Sequence, residues 1–296
     1  MAFKRSGVQF PLAPVTMIVS VSRRCDIPRF QFDWFMAQLD EGFVETANPY
    51  NVKQISRVSL LPQDVDVFAF WTRDPKHILA NADDLEKRGF PFYVMVSLTN
   101  YPALLEPNMP LAQEVINTIG ELSRKIGNDR IIWRYDPIIL TNVTDTDFHM
   151  RNFCALAKNL AGAVKRVIIS LYDEYKKAAK RIGELEQAGK LQMFNTKDDS
   201  VMNDIRIMLK SFAKSAQAHG MHIQSCAEKE DFSPLGIMPG ACIDASLIEK
   251  LYVNKKITGA QPARDKYQRP NCLCCQSKDI GAYNTCAAHC VYCYAS

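Results

Sequence analysis

From residue 17 onward, short β-branched and aromatic runs alternate with amphipathic stretches, and this alternation confines the chain to parallel strands joined by crossover helices. It predicts strands near 17–22, 65–71, 92–99, 130–135, 166–171 and 221–226. Helix signals fill the intervals. Asp74 followed by Pro75 reads as an N-cap and first helical residue, and Gly89 closes that helix. In 111–126, Leu111, Val115, Ile119, Leu122 and Ile126 recur every three or four residues. Val201, Ile205, Met208, Leu209 and Phe212 do the same before Gly220, and a short helix follows at 245–252. The fold class predicted is α/β, a single parallel sheet that is an open or closed (β/α) barrel.

In such folds chemistry gathers where strands end. The predicted ends are polar: Ser22, Arg23, Arg24 and Asp26; Trp71, Thr72 and Arg73; Ser97, Thr99 and Asn100; Arg134, Tyr135 and Asp136; Tyr172 and Asp173; Gln224, Cys226 and Glu228. Solvated loops alone would explain many of them. Trp133-Arg134-Tyr135-Asp136-Pro137 stands out, because an Arg and an Asp at the end of an apolar strand can grip a carboxylate and an amine or hydroxyl. They can also simply pair with each other. Arg134 and Asp136 are candidate catalytic residues on the first reading.

The chain has 296 residues, a net charge of +4 and 47% hydrophobic residues, so attraction to phosphate must be local. No stretch approaches the ~18 uninterrupted apolar residues of a membrane span. Residues 1–16 lack periodicity and secretory features, and Met17 directly opens the first strand. Residues 1–16 therefore read as a disordered or non-native extension, and 17–296 as one domain. Of ten cysteines, eight follow residue 225 and six fall in the last 25 residues. A disulfide framework would be spread along the chain. Clustered thiols without a secretory signal point to a cytoplasmic protein with metal or redox chemistry.

After a basic, Pro-containing connection (Lys255, Lys256, Pro262, Arg264, Lys266, Arg269, Pro270), the segment 254–296 carries that cluster. Cys286, Cys290 and Cys293 form Cys-x3-Cys-x2-Cys after a predicted strand at 279–285. Three thiolates can hold three irons of a [4Fe-4S] cube and leave the fourth open to a ligand. His289 reads as a spacer. Cys226, Cys242, Cys272 and Cys274 form a second candidate set of four, suited to another [4Fe-4S] cluster or zinc. Cys226 and Cys242 read alternatively as small buried apolar residues. Cys275 is the spare, and Cys154 belongs to a helical core stripe with Phe148, Leu156 and Leu160. Cys25, beside Arg23 and Arg24, has an electropositive setting that could lower its pKa and make it a candidate catalytic hydrogen-atom or nucleophilic donor; the alternative, and the commoner case, is a residue that merely fills a loop.

The Cys286/Cys290/Cys293 spacing, with Tyr292 before the last cysteine, resembles the motif of the radical S-adenosylmethionine superfamily. The whole chain, through Ser22-Arg23-Arg24-Cys25-Asp26-Ile27-Pro28, Phe70-Trp71-Thr72-Arg73, Trp133-Arg134-Tyr135-Asp136-Pro137 and Tyr292-Cys293-Tyr294-Ala295, resembles an uncharacterised bacterial domain-of-unknown-function family. That family has a radical-SAM-like C-terminal cysteine cluster and is distantly similar to spore photoproduct lyase. The resemblance implies a [4Fe-4S] cluster on Cys286, Cys290 and Cys293, and S-adenosylmethionine on its open iron. Tyr292 would lie against the adenine, with Ser97, Thr99, Arg134 and Ser170 as further cofactor contacts. Reduction by a donor such as flavodoxin or ferredoxin would yield a 5'-deoxyadenosyl radical acting on an unknown substrate, with nucleic acid or a nucleotide as a candidate. It also implies a TIM/radical-SAM-type barrel, circularly permuted so that the cluster-bearing strand comes last and inserts beside the first. The competing class is a non-catalytic iron-sulfur or zinc module that organises a nucleic-acid or protein contact. Gly-x-Gly-x-x-Gly, Walker and His-Glu-x-x-His motifs are absent, so nucleotide hydrolysis and zinc-protease chemistry have no support.

Overall fold

Strands buried on both faces read as near-continuous apolar runs, and Val65–Thr72 is buried at every residue. The computed structural model describes residues 17–48, 51–252 and 263–296. The proposed extension at 1–16 and the start of the basic connection lie outside the described residues. The order is β1 (Met17–Val21), α1 (Ile27–Phe30), α2 (Phe32–Glu41), β2 (Phe43–Asn48), β3 (Asn51–Ser59), β4 (Val65–Thr72), α3 (Lys76–Lys87) and β5 (Phe92–Ser97). Then come α4 (Ala112–Ile126), β6 (Ile131–Ile138), α5 (Thr146–Asn159), β7 (Arg166–Leu171), α6 (Lys176–Gln187) and α7 (Asp199–Ala218). The chain ends with β8 (His222–Cys226), β9 (Met238–Gly240), α8 (Ala245–Leu251) and β10 (Lys278–Asp279).

Eight strands form one sheet in the order β10-β1-β4-β5-β6-β7-β8-β9, with every neighbouring pair parallel. Side chains alternate between its faces. Phe68, Phe70, Phe92, Val94, Trp133, Tyr135, Val167 and Ile169 join the large cluster with the helical residues Ile78, Ile119, Phe153 and Phe212. Their alternates Ile18, Val67, Ala69, Trp71, Tyr93, Met95, Ile132 and Ile168 form a second cluster, together with Cys226, Cys242, Cys272, Cys274 and Cys275.

A closed barrel is not formed, because the edge strands β9 and β10 do not pair. At three and two residues, they offer too few backbone groups for a ladder. The flanking segments nevertheless meet, with the Cys275 N–H donating to the Ile243 carbonyl at 3.0 Å. The predicted last strand does lie parallel to β1, with Ser20 opposite Asp279, but it is far shorter than 279–285. The Asp279 carboxylate accepts the Gly281 N–H at 3.0 Å, a local turn that ends the extended run.

Other differences have equally local causes. The β2–β3 hairpin and β9 carried no clear periodicity. α3 begins at Lys76 rather than Pro75, and Asp74 accepts the Lys76 N–H at 3.2 Å. Leu111 sits exposed at the cap of α4, where Ile116 takes its place in the stripe. Cys154 is half-buried rather than core, because the buried stripe of α5 passes through His149, Phe153, Leu156 and Ala157.

Asp279 also accepts the Ser20 and Ser22 hydroxyls at 2.8 and 2.6 Å and the Arg23 N–H at 2.8 Å. Asp279→Ala leaves these donors without their acceptor in a mostly buried site. It is expected to lower stability by roughly 3 kcal/mol, measured by urea unfolding of the whole chain.

Candidate functional site: the terminal cysteine loop and the sheet mouth

β10 delivers the cysteine loop to the carboxyl ends of β1 and β4. The approach is close: a Cβ on Gly281 would lie 2.0 Å from Ser22 Oγ and 2.8 Å from Cys25 Sγ. Beyond it, Arg181 of α6 holds the loop by its carbonyls, donating to Val291 at 2.8 Å, to Ser296 at 2.6 Å and to Cys293. Asn108 donates to the Ala287 carbonyl at 3.0 Å, and the Val291 N–H to the Leu105 carbonyl at 3.0 Å. Cys286, Cys290 and Cys293 are free thiols; Cys290 is buried and the others half-buried. They lie near enough to act on one another electrostatically. Burial pushes the Cys290 thiol up to about 11, partly offset by the Arg73 guanidinium. His289 is exposed with φ of 52°, as a spacer in a tight turn would be.

Behind the loop lies a buried polar knot. Arg73 donates to Glu106 at 2.7 Å and to Thr99 at 3.2 Å, and the Thr99 hydroxyl donates to Glu106 at 2.5 Å. The Tyr292 hydroxyl bonds to both Arg73 and Glu106. Thr99 and Tyr292, expected at the cofactor, thus spend their hydroxyls on fixing the loop. Asp26 accepts the backbone N–H groups of Arg73 and Arg29 at 2.8 and 3.1 Å, and burial raises its carboxyl to about 6. Cys25 corrects the expectation of a lowered pKa: it is buried, and desolvation pushes its thiol up despite the nearby arginines.

The opposite face of the sheet changes from apolar to polar toward its carboxyl edge. Arg134 is ion-paired with Asp136, reaches Ser97 Oγ at 3.5 Å and lies 4.7 Å from the centre of the Trp71 ring. The mutual pairing weighed in the sequence is therefore present. Trp71 Nε1, Arg134 Nε and Gln224 Oε1 are buried without hydrogen-bond partners. Arg166 Nε and Tyr172 Oη are likewise buried without partners, although buried polar atoms ordinarily have them. Ser170 donates to the Leu171 carbonyl at 3.2 Å, and Glu228 accepts the Leu171 N–H at 2.8 Å. Burial raises the Glu228 carboxyl to about 7.

The second cysteine set also converges. Cys242 Sγ is 3.7 Å from Cys226 Sγ, and Cys272 and Cys274 lie near enough to act electrostatically on Cys242 and on each other. Cys275 stands apart, its thiol donating to the Ile243 carbonyl at 3.3 Å. As the side chains stand, no group of three or more His, Cys, Asp or Glu among the described residues is arranged to hold a metal ion. Glu106, Arg181 and Asp279 were not singled out from the sequence. Glu106 and Asp279 sit in irregular segments or at their edge, and Arg181 is one of several basic residues on a polar helix.

Fold and site define a parallel α/β protein whose C-terminal loop brings three cysteines to the carboxyl edge of its sheet. The chain belongs to the family described as "Domain of unknown function (DUF1848)", which matches residues 18–295. That description names neither cofactor nor activity. No curated protein matches the chain. Among solved structures it is similar to a putative alpha-L-fucosidase from Bacteroides thetaiotaomicron, with 14% identity over 88% of this chain and 90% of that one and a TM-score of 0.31. No helix among the described residues is long and apolar enough to cross a membrane.

The raised Glu228 carboxyl has a signed consequence. Between about pH 4.5 and 7 the folded chain keeps a proton that the unfolded chain has lost, so this group makes stability fall as pH rises through that window. Glu228→Gln is expected to remove that contribution. Urea unfolding of both proteins from about pH 5 to 8 should show the variant gaining on the wild type toward neutrality.

Proposed function

We propose that this chain is a radical S-adenosylmethionine-type iron-sulfur enzyme built on a circularly permuted partial barrel. The observation that carries the reading is the parallel pairing of β10 with β1, which sends the Cys286/Cys290/Cys293 loop off the carboxyl edge of the sheet. The donor types suit the group: three free thiols, partly buried, with the Arg73 cation near Cys290 to offset thiolate charge, and their side chains would have to turn together to hold it. A [4Fe-4S] cluster held there, with S-adenosylmethionine on its open iron, would supply a 5'-deoxyadenosyl radical when reduced by a donor such as flavodoxin or ferredoxin.

The protein's own share is position and exclusion of water. Arg181 and the Arg73–Glu106–Tyr292 knot hold the cysteine loop against the sheet. Trp71 Nε1, Arg134 Nε and Gln224 Oε1 offer two donors and an acceptor to polar groups of cofactor or substrate. Arg134 and Arg269 are paired with Asp136 and Asp173, and Arg23 with Asp265. Among the described residues these arginines of the mouth are thus paired rather than free, which favours a small polar substrate over a phosphate backbone there.

Anaerobically purified protein should be brown, with a broad band near about 400 nm, and should release 5'-deoxyadenosine from S-adenosylmethionine when reduced. The triple variant Cys286→Ala/Cys290→Ala/Cys293→Ala should lose both properties. A colourless wild type that forms no 5'-deoxyadenosine would overturn the proposal in favour of a non-catalytic metal module.

A further inference from the structure

The open seam of the sheet is where the remaining cysteines collect. Cys226 ends β8, Cys242 follows β9, and Cys272 and Cys274 precede β10. Their thiols therefore come from the two opposite edges of the sheet. Cys242 Sγ lies 3.7 Å from Cys226 Sγ, and Cys272 and Cys274 lie near enough to act electrostatically on this pair and on each other. All four are buried and none is in a disulfide.

We infer that Cys226, Cys242, Cys272 and Cys274 bind one tetrahedral zinc ion that joins the two edges of the sheet.

Size separates this from a second iron-sulfur cube. Four sulfurs about 2.3 Å from a zinc ion stand about 3.8 Å apart, whereas a cube holds its ligand sulfurs roughly 6 Å apart. The Cys226–Cys242 separation is 3.7 Å. The thiols now face one another, so binding requires the four side chains to turn toward a common centre.

Charge gives a second, independent indication. Zinc binding releases four thiol protons and leaves a complex of net charge −2. Three arginines, each also paired with a carboxylate, border the four thiols: Arg269 donates to the Cys226 carbonyl at 3.3 Å and lies 3.9 Å from its sulfur. Arg134 acts electrostatically on Cys226 and Cys242, and Arg23 on Cys274. The Ile243 N–H donates to Cys274 Sγ at 3.3 Å, the kind of bond that supports a thiolate.

The test uses the full chain carrying Cys286→Ala/Cys290→Ala/Cys293→Ala, so that a cluster in the terminal loop cannot contribute. Elemental analysis should find about one zinc per chain and no sulfide, and zinc-edge X-ray absorption should show four sulfurs at about 2.3 Å. Adding Cys242→Ser should lower zinc retention at least tenfold. If that variant does not fold, the absorption spectrum of the triple variant decides alone. Iron with sulfide, all seven remaining thiols titratable without metal, or a Cys226–Cys242 disulfide would each overturn the inference. Failure of the terminal-loop cluster would be read separately, as loss of colour in the wild type.

Discussion

The Asp279 carboxylate is the interaction on which the rest of the arrangement depends. Its two oxygens collect the Ser20 and Ser22 hydroxyls and the backbone N–H groups of Arg23 and Gly281. The first three fasten β10 to β1 across more than 250 residues of chain; the fourth turns the chain out of the sheet. A two-residue strand has little ladder of its own, so the carboxylate supplies most of its register. The small Gly281 then lets the chain pass against Ser22 and Cys25, where any Cβ would collide. Everything after it, including all three cysteines of the terminal loop, takes its position from that join.

The two sets of thiols lie on either side of this join. Cys272 and Cys274 come before β10, and Cys286, Cys290 and Cys293 after it. The loop is secured a second time from behind, by Arg181 on its carbonyls and by Arg73, Glu106 and Tyr292 in a buried knot. Buried polar networks of this kind specify one geometry because each member loses more unpaired than it gains paired. The knot fixes the loop, while Trp71 Nε1, Arg134 Nε and Gln224 Oε1 are buried without partners.

Much of the fold was legible in the sequence because its strands are continuous apolar runs and its helices carry strong stripes, as in Ile205, Met208, Leu209 and Phe212. The parallel placement of the last strand beside the first was also legible. Its length was not, since the turn depends on a side chain folding back on its own backbone. The β2–β3 hairpin escaped because its residues are mostly exposed and mixed in character. At the site, cysteine spacing and strand-end polarity were visible. Cys25 was misjudged because neighbouring arginines suggest a thiolate, whereas burial dominates its titration. The pairing of Arg134 with Asp136 was one of two readings the sequence left open, since residues two apart on a strand share a face. Glu106 and Arg181 act on residues far away in sequence, and no local pattern announces them.

The most direct measurement is electron paramagnetic resonance of the anaerobically reduced wild-type chain, recorded with and without S-adenosylmethionine. The account predicts the signal of a reduced [4Fe-4S] cluster whose line shape changes when S-adenosylmethionine is added, because the ligand reaches an open iron. A reduced-cluster signal that S-adenosylmethionine leaves unchanged, or no cluster signal at all, would contradict it.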